Sequence, residues 1–261
     1  MPGRILCNVE GHLGLIVIDH PERRNAVSAA MWGELADAAE TLDANPSVRV
    51  IVLRGAGEVA FVSGADISEF ESRRTGGAAA QLYENGTQRA FGALGAVSKP
   101  LIAMIHGFCV GGGMATALAA DLRYCADDAV FAIPAARLGL GYHAGGIEAL
   151  TALVGPSTAR EIFFTARRYR AEDALRLGLV NQVFPKAELE IRVREIASQI
   201  AGNAPLTIRS VKRISRELGR DSGERDRDAI RQSIQRCFDS EDYKEGVRAF
   251  LEKRPPKFEG R

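Results

Sequence analysis

The chain has 261 residues, of which 46% are hydrophobic, and carries 34 Lys and Arg against 33 Asp and Glu. That length suits one large domain, or one domain with a helical appendage, and so even a charge balance leaves no global field to draw in nucleic acid or a membrane surface. The four cysteines, Cys7, Cys109, Cys125 and Cys237, lack CxxC spacing, which speaks against a zinc site or a disulfide framework and for a reducing compartment. The opening stretch MPGRILCNVEGHLGLIVIDHP has no long apolar run, no small-residue cleavage site and no Arg/Ser-rich amphipathic pattern. The expected location is therefore the cytoplasm, with no membrane span.

Leu13–Asp19 is a short β-branched run between glycines and Pro21, and predicts a strand. Ser28–Asn45 places Ala29, Trp32, Leu35, Ala36, Ala39 and Leu42 at helical spacing, with Ser28 as N-cap. Val48–Arg54 reads as a second strand, and Phe61–Ile67 leaves a strand for a glycine turn. After a polar, then Gly/Ala-rich segment, Glu69–Ala80, a helix resumes near Gln81 and ends before Lys99-Pro100. Leu101–Ile105 is a buried strand, His106–Gly113 a glycine-rich turn, and Met114–Ala120 an Ala-rich helix. Asp121–Cys125 and Ala129–Ile133 are further strands, and Leu138–Gly146, with four glycines, a tight loop. Helical patterns then dominate: Ile147–Leu153, Ser157–Thr165, Ala171–Leu177, Leu189–Ala201, Thr207–Leu218 and Asp226–Phe250. Strands alternating with helices predict an α/β fold. The predicted division is a core over residues 1–188 and a helical region over 189–261, one face of which packs on something else, a second subunit being one option.

Two turns carry the chemistry, Ser63-Gly64-Ala65-Asp66-Ile67 and Gly107–Gly113, each following a strand. The second opens straight into a helix, whose first N–H groups are unpaired and partly positive. Glycine lets a ligand approach such a backbone closely, so the turn can hold an anion or a developing oxyanion. Tight packing of strand against helix explains the triple glycine equally well. No GxxxxGK[ST], no GxGxxG between strand and helix, no GxSxG and no metal-spaced His/Cys/carboxylate cluster is present.

At these residues the chain resembles the enoyl-CoA hydratase/isomerase (crotonase) family along nearly its whole length. The resemblance rests on Pro21–Ala26 (PERRNA), the FVSGADI turn, Lys99–Ala126 (KPLIAMIHGFCVGGGMATALAADLRYCA), the LGLGYHAGG loop, Phe163–Phe184 and the C-terminal AFLEKRPPKF. It implies a crotonase-like spiral of repeated ββα units with a C-terminal helical trimerisation region, in trimers or hexamers. It implies an acyl-CoA substrate and no separate cofactor, coenzyme A being part of the substrate. The family's two oxyanion amides fall on Ala65 and Gly112. The resemblance lays CoA along Arg24, Ala26, Ser63, Ala65, Asp66 and Ile67, adds Gly111, Pro134 and Ala135 to the substrate-binding set, and brings Phe250 and Lys253 from a neighbouring subunit. Chemically this is coherent: an α-proton leaves a thioester through an enolate, and each aligned N–H contributes about 3–4 kcal/mol to stabilising it.

The pattern breaks at the acid–base positions. Where the family's hydratases carry two glutamates, this chain has Ala115 and Ala135, and an alanine moves no proton. Tyr142 and His143, in the glycine loop, are the candidates to replace them; some relatives look to place an acidic group at the position of His143, and the family's decarboxylases a tyrosine at that of Tyr142. The competing reading has Tyr142 lining the acyl tunnel and His143 shaping the loop. Weaker candidates are His106, Arg137 and Glu148, while Asp66 and Asp121 read as structural. Three functions stay open: an acyl-CoA lyase or isomerase (decarboxylation included, since loss of CO₂ needs no strong base), a silent acyl-CoA-binding homologue, and a nucleic-acid-binding module using the basic run Lys212–Arg220.

Overall fold

The computed structural model of the chain describes residues 2–66 and 77–261. Among them, the strands β1 (Arg4–Glu10), β2 (Leu13–Asp19), β3 (Val50–Gly55), β5 (Leu101–Ile105), β7 (Leu122–Ala126) and β10 (Gln182–Phe184) form a six-stranded sheet, in the order β1-β2-β3-β5-β7-β10. A four-stranded sheet holds β4 (Ala60–Val62), β6 (Phe108–Val110), β8 (Val130–Ala132) and β9 (Tyr169–Arg170) in that order. Of these strand pairs, only β1–β2 and β8–β9 are antiparallel. Successive strands thus alternate between sheets: β3 then β4, β5 then β6, β7 then β8. Helix α1 (Ala29–Ala44) precedes the first pair, and α2 (Gly77–Ala96) and α3 (Gly112–Leu118) follow the first and second. This is the repeated ββα spiral the sequence implies.

The central strands are apolar on both faces, as parallel strands covered on both sides must be. Alternate residues feed two cores. Ile51, Leu53, Leu101, Ala103 and Ile105 join Trp32 and Leu35 of α1 in the larger one. Val50, Val52, Ile102 and Met104 face the other way, against Leu189, Val193 and Ala197 of α7 (Leu189–Gly202). Between them in sequence lie α4 (Ala144–Val154), α5 (Pro156–Thr165) and α6 (Ala171–Arg176); α8 (Pro205–Leu218), α9 (Arg227–Phe238) and α10 (Glu241–Leu251) follow.

Several elements differ from expectation. β1 falls outside the predicted strands, because it is a largely exposed edge strand without alternation. β6 hides inside the predicted glycine turn. α2 begins at Gly77 rather than near Gln81. The single helix expected over Asp226–Phe250 is two, broken where the Ser240 hydroxyl caps α10 by accepting from Tyr243 N at 3.0 Å. Among the described residues no helix is long and apolar enough to cross a membrane.

Candidate active site

The first predicted turn leaves β4 and is pinned to the segment before α1. Val27 N donates to Gly64 O and Asp66 N to Val27 O, both at 2.9 Å. This pairing uses the Gly64 carbonyl and the Asp66 N–H on either side of Ala65, and because a trans peptide points its N–H away from its C=O, the Ala65 N–H faces the other way. Ser63 N donates to Arg24 O at 3.1 Å, and its hydroxyl to Arg23 O at 3.1 Å. The strap that receives them bends through Arg24 and Asn25 at φ 50° and 57°. Asn25 is fit for that left-handed conformation, and its amide donates to Ala56 O and Ala60 O while its oxygen accepts from His20 N.

The second turn leaves β6 through Gly111, at φ 55° and ψ −112°, and enters α3 at Gly112. Gly111 N donates to Ala132 O at 2.8 Å, and Gly111 O accepts from Ala115 N. A Cβ placed on Gly112 would stand 3.5 Å from Ala65 N, so the two turns meet there. No acceptor among the described residues takes the N–H of Ala65 or of Gly112. The neighbouring Gly113 serves packing instead, since a Cβ there would lie 2.1 Å from Val62 O.

Both amides border a cavity of about 340 Å³, walled by Trp32 and Phe91 on one side and by the loop over 138–143 on another. Ser63, Gly111, Pro134 and Ala135 line it, as do Ala115, Tyr142 and His143. Of the other predicted residues, Arg24 is exposed with its guanidinium over the Phe108 ring at 5.0 Å. Ala26 is buried and its carbonyl meets His20 Nδ1 at 2.9 Å. Asp66 pairs with Arg23 at 2.9 Å. Phe250 and Lys253 lie at the exposed end of α10. None of these lines the cavity, and Ile67 lies outside the described residues. His106 is buried elsewhere, its pKa lowered by desolvation. Arg137 and Glu148 are exposed and off the cavity, and Asp121 binds Leu101 N and Lys212 Nζ.

Tyr142 is packed edge-on to Phe163, with ring centroids 4.9 Å apart, and its hydroxyl has only a long contact to Gly111 O at 3.4 Å. Burial pushes its pKa up to about 12, so it keeps its proton near neutrality and acts as a donor. His143 sits at the N-cap of α4, where its backbone carbonyl accepts from Gly146 N and Ile147 N, leaving the ring uncommitted to capping. Its Nδ1 faces Glu84 Oε1 across the cavity rim at 3.6 Å. Sequence reasoning missed Glu84. Its only signal was helical spacing: Glu84, Thr87 and Phe91 fall at i, i+3 and i+7 and present one face of α2 to the cavity.

The enoyl-CoA hydratase/isomerase family model matches residues 8–261. The chain is 34% identical over 256 residues to a crotonyl-CoA hydratase of Syntrophomonas wolfei, covering 97% of each. It is 37% identical over 250 residues to a carnitinyl-CoA dehydratase of Proteus mirabilis, covering 94% of each. It superposes with a TM-score of 0.94 on a Magnetospirillum magneticum enoyl-CoA hydratase/carnithine racemase, at 34% identity over 98% of this chain and 96% of that one. A ββα spiral with a cavity between two glycine turns defines a crotonase-type fold. The chain belongs to the enoyl-CoA hydratase/isomerase family, whose curated members matched here are enzymes of acyl-CoA thioesters.

Proposed function

We propose that this protein acts on an acyl-CoA through a thioester enolate, with the carbonyl oxygen received by the N–H groups of Ala65 and Gly112. The observation that carries the reading is that two amides from turns far apart in sequence border one cavity and have no acceptor among the described residues. The amides of Ser63, Asp66 and Gly111 nearby are bonded to backbone carbonyls, and Gly112 N–H belongs to the unpaired first turn of α3. Oriented before substrate arrives, the two donors need no reorganisation as charge moves onto the oxygen.

The reaction class follows from what borders the cavity. With Ala115 and Ala135 in place of the expected carboxylates, two-carboxylate activation of water has no residues to perform it. No Lys or Arg among the described residues lines the cavity to hold a malonyl-type carboxylate, and Glu84 would repel one. Proton transfer on an uncharged acyl chain, as in double-bond migration, fits the cavity better than decarboxylation. The exposed apolar side chains of α8, α9 and α10, Val211, Phe238, Val247 and Phe250 among them, supply the surface for assembly with further copies of the chain.

The test removes one amide. Gly112 is the first residue of α3, where proline is tolerated because its missing N–H is unpaired anyway. Gly112→Pro should lower kcat about 10²–10³-fold relative to Gly112→Ala, which retains the N–H. Turnover would be read by mass spectrometry across enoyl-, 3-hydroxyacyl- and malonyl-type CoAs. Equal activity of the two variants would refute the oxyanion assignment, and tight binding without product across the panel would point to a silent homologue.

A further inference from the structure

Only three ionisable side chains line the cavity among the described residues: Glu84, Tyr142 and His143. The last two come from one loop, but Glu84 comes from α2, much earlier in the chain. We propose that His143 is the proton-transferring base of this site and that Glu84 positions it, the pair standing in for the carboxylates absent at Ala115 and Ala135. This rests on the enolate reading above and deepens it, naming β,γ-unsaturated (3-enoyl) CoA thioesters as the substrate class.

The geometry supports a division of labour. Glu84 Oε1 stands 3.6 Å from His143 Nδ1, and Gln88 Nε2, one turn further along α2, donates to the same oxygen at 3.4 Å. That separation exceeds a formed hydrogen bond, and catalytic contacts of this kind tighten when substrate binds. A carboxylate on the Nδ1 side selects the Nδ1–H tautomer and leaves the lone pair on Nε2. No described side chain engages Nε2. Both side chains are about half exposed, at 50% for His143 and 45% for Glu84, so they form the rim of the cavity and meet a ligand as it enters. Tyr142 holds its proton too firmly to act as the base and is left to donate a hydrogen bond.

The step balances without a further reactant. His143 Nε2 takes a proton from Cα of a 3-enoyl thioester. The C–H electron pair moves into the carbonyl, giving a dienolate whose oxygen faces Ala65 N–H and Gly112 N–H. Cγ of the dienolate then takes the proton back from the imidazolium. The double bond has moved from Cβ–Cγ to Cα–Cβ, and the ring is neutral again.

The full-length protein would be given trans-3-hexenoyl-CoA in D₂O, with the conjugated 2-enoyl product and its deuterium content read by mass spectrometry. His143→Ala should lose at least about 100-fold in kcat, with partial recovery on adding free imidazole, which a purely structural histidine would not show. Glu84→Gln should lower kcat about tenfold and leave KM within about twofold, the mark of a group acting after binding. Gly112→Pro serves to separate the two ideas. If Gly112→Pro abolishes conversion while His143→Ala keeps it within about threefold, the enolate reading stands and the pair is wrong. Loss in His143→Ala together with lost thioester affinity and no imidazole recovery would also overturn the pair. Wild-type protein that binds the thioester yet neither converts nor exchanges it would overturn both.

Discussion

Ala115 and Ala135 each occupy one wall of the cavity, Ala115 on α3 and Ala135 in the 3₁₀ turn Pro134–Arg137. Ala115 is half-buried and Ala135 sits at the edge of the larger core, yet both line the cavity, so longer side chains directed into it would keep their carboxylates wet. That matters because an ionised carboxylate without water or a partner costs several kcal/mol to bury. Placed there, two glutamates would hold a water against the β-carbon of a conjugated thioester, one taking a proton from the water as it adds and the other giving a proton to the α-carbon. The double variant Ala115→Glu/Ala135→Glu should gain hydration of crotonyl-CoA at least about tenfold over the parent, with each single variant well below it, because the two groups act as a unit. The decay of the enoyl chromophore measures it. No gain, with folding and thioester affinity intact, would mean that these alanines do not occupy the acid–base positions.

At the level of elements, the glycine triplet before and within α3 divides its work residue by residue. Gly111 supplies a left-handed turn, Gly112 an unpaired amide, and Gly113 a close approach of helix to strand, its missing Cβ making room for Val62 O. Packing thus accounts for Gly113, while the oxyanion reading proposed above rests on Gly112. Gly113→Ala forces a carbon to 2.1 Å from a carbonyl oxygen and must shift the helix or β4. It should destabilise the fold by about 2 kcal/mol or more. Gly112→Ala meets only ordinary contacts, at 3.5–3.6 Å, and should cost about 0.5 kcal/mol or less. Thermal melts of the two side by side decide it. The same elements mark how far sequence alone reaches. Strong apolar runs such as Leu101–Ile105 declare buried strands outright, and the ordered motifs give the turns of the site. Exposed β1 and three-residue β6 carry too little periodicity to be seen. Glu84 escaped because nothing in its neighbourhood in sequence indicates that a loop from residues 138–143 will fold over it; that information is purely three-dimensional.

At the scale of the whole molecule, the polar C-terminal tail, which cannot fold alone, is ordered by two carboxylates of α10. Asp242 accepts from Glu259 N at 2.7 Å and Gly260 N at 2.8 Å. Glu245 accepts from Arg254 at 2.6 and 2.9 Å, from Arg248 at 2.5 Å and from Lys257 N at 2.9 Å. Between these two anchors, Phe258 O accepts from Arg49 at 2.7 Å, and Arg49 also holds Ala201 O of α7, while Arg261 O accepts from Glu241 N at the start of α10. One carboxylate cluster thus links the last helix to the central core. The bonds from Arg254, then Arg248, then the Lys257 amide hold the Glu245 carboxyl far below the ordinary carboxylate range. Its pKa in the unfolded chain is about 4.3. A group whose pKa is depressed by folding stabilises fully above the unfolded value and loses that contribution as pH falls toward the folded one. Wild-type protein should therefore lose stability, and protection of the tail amides, as pH falls below about 5. Glu245→Gln should be less stable than wild type at pH 7, and the gap should narrow steadily on acidification, since the amide has no charge to lose. Melting temperatures across that range, with hydrogen exchange at the Lys257, Glu259 and Gly260 amides, measure both effects. A gap that stays constant with pH would assign the stabilisation to shape and neutral hydrogen bonding rather than to the ionised carboxylate.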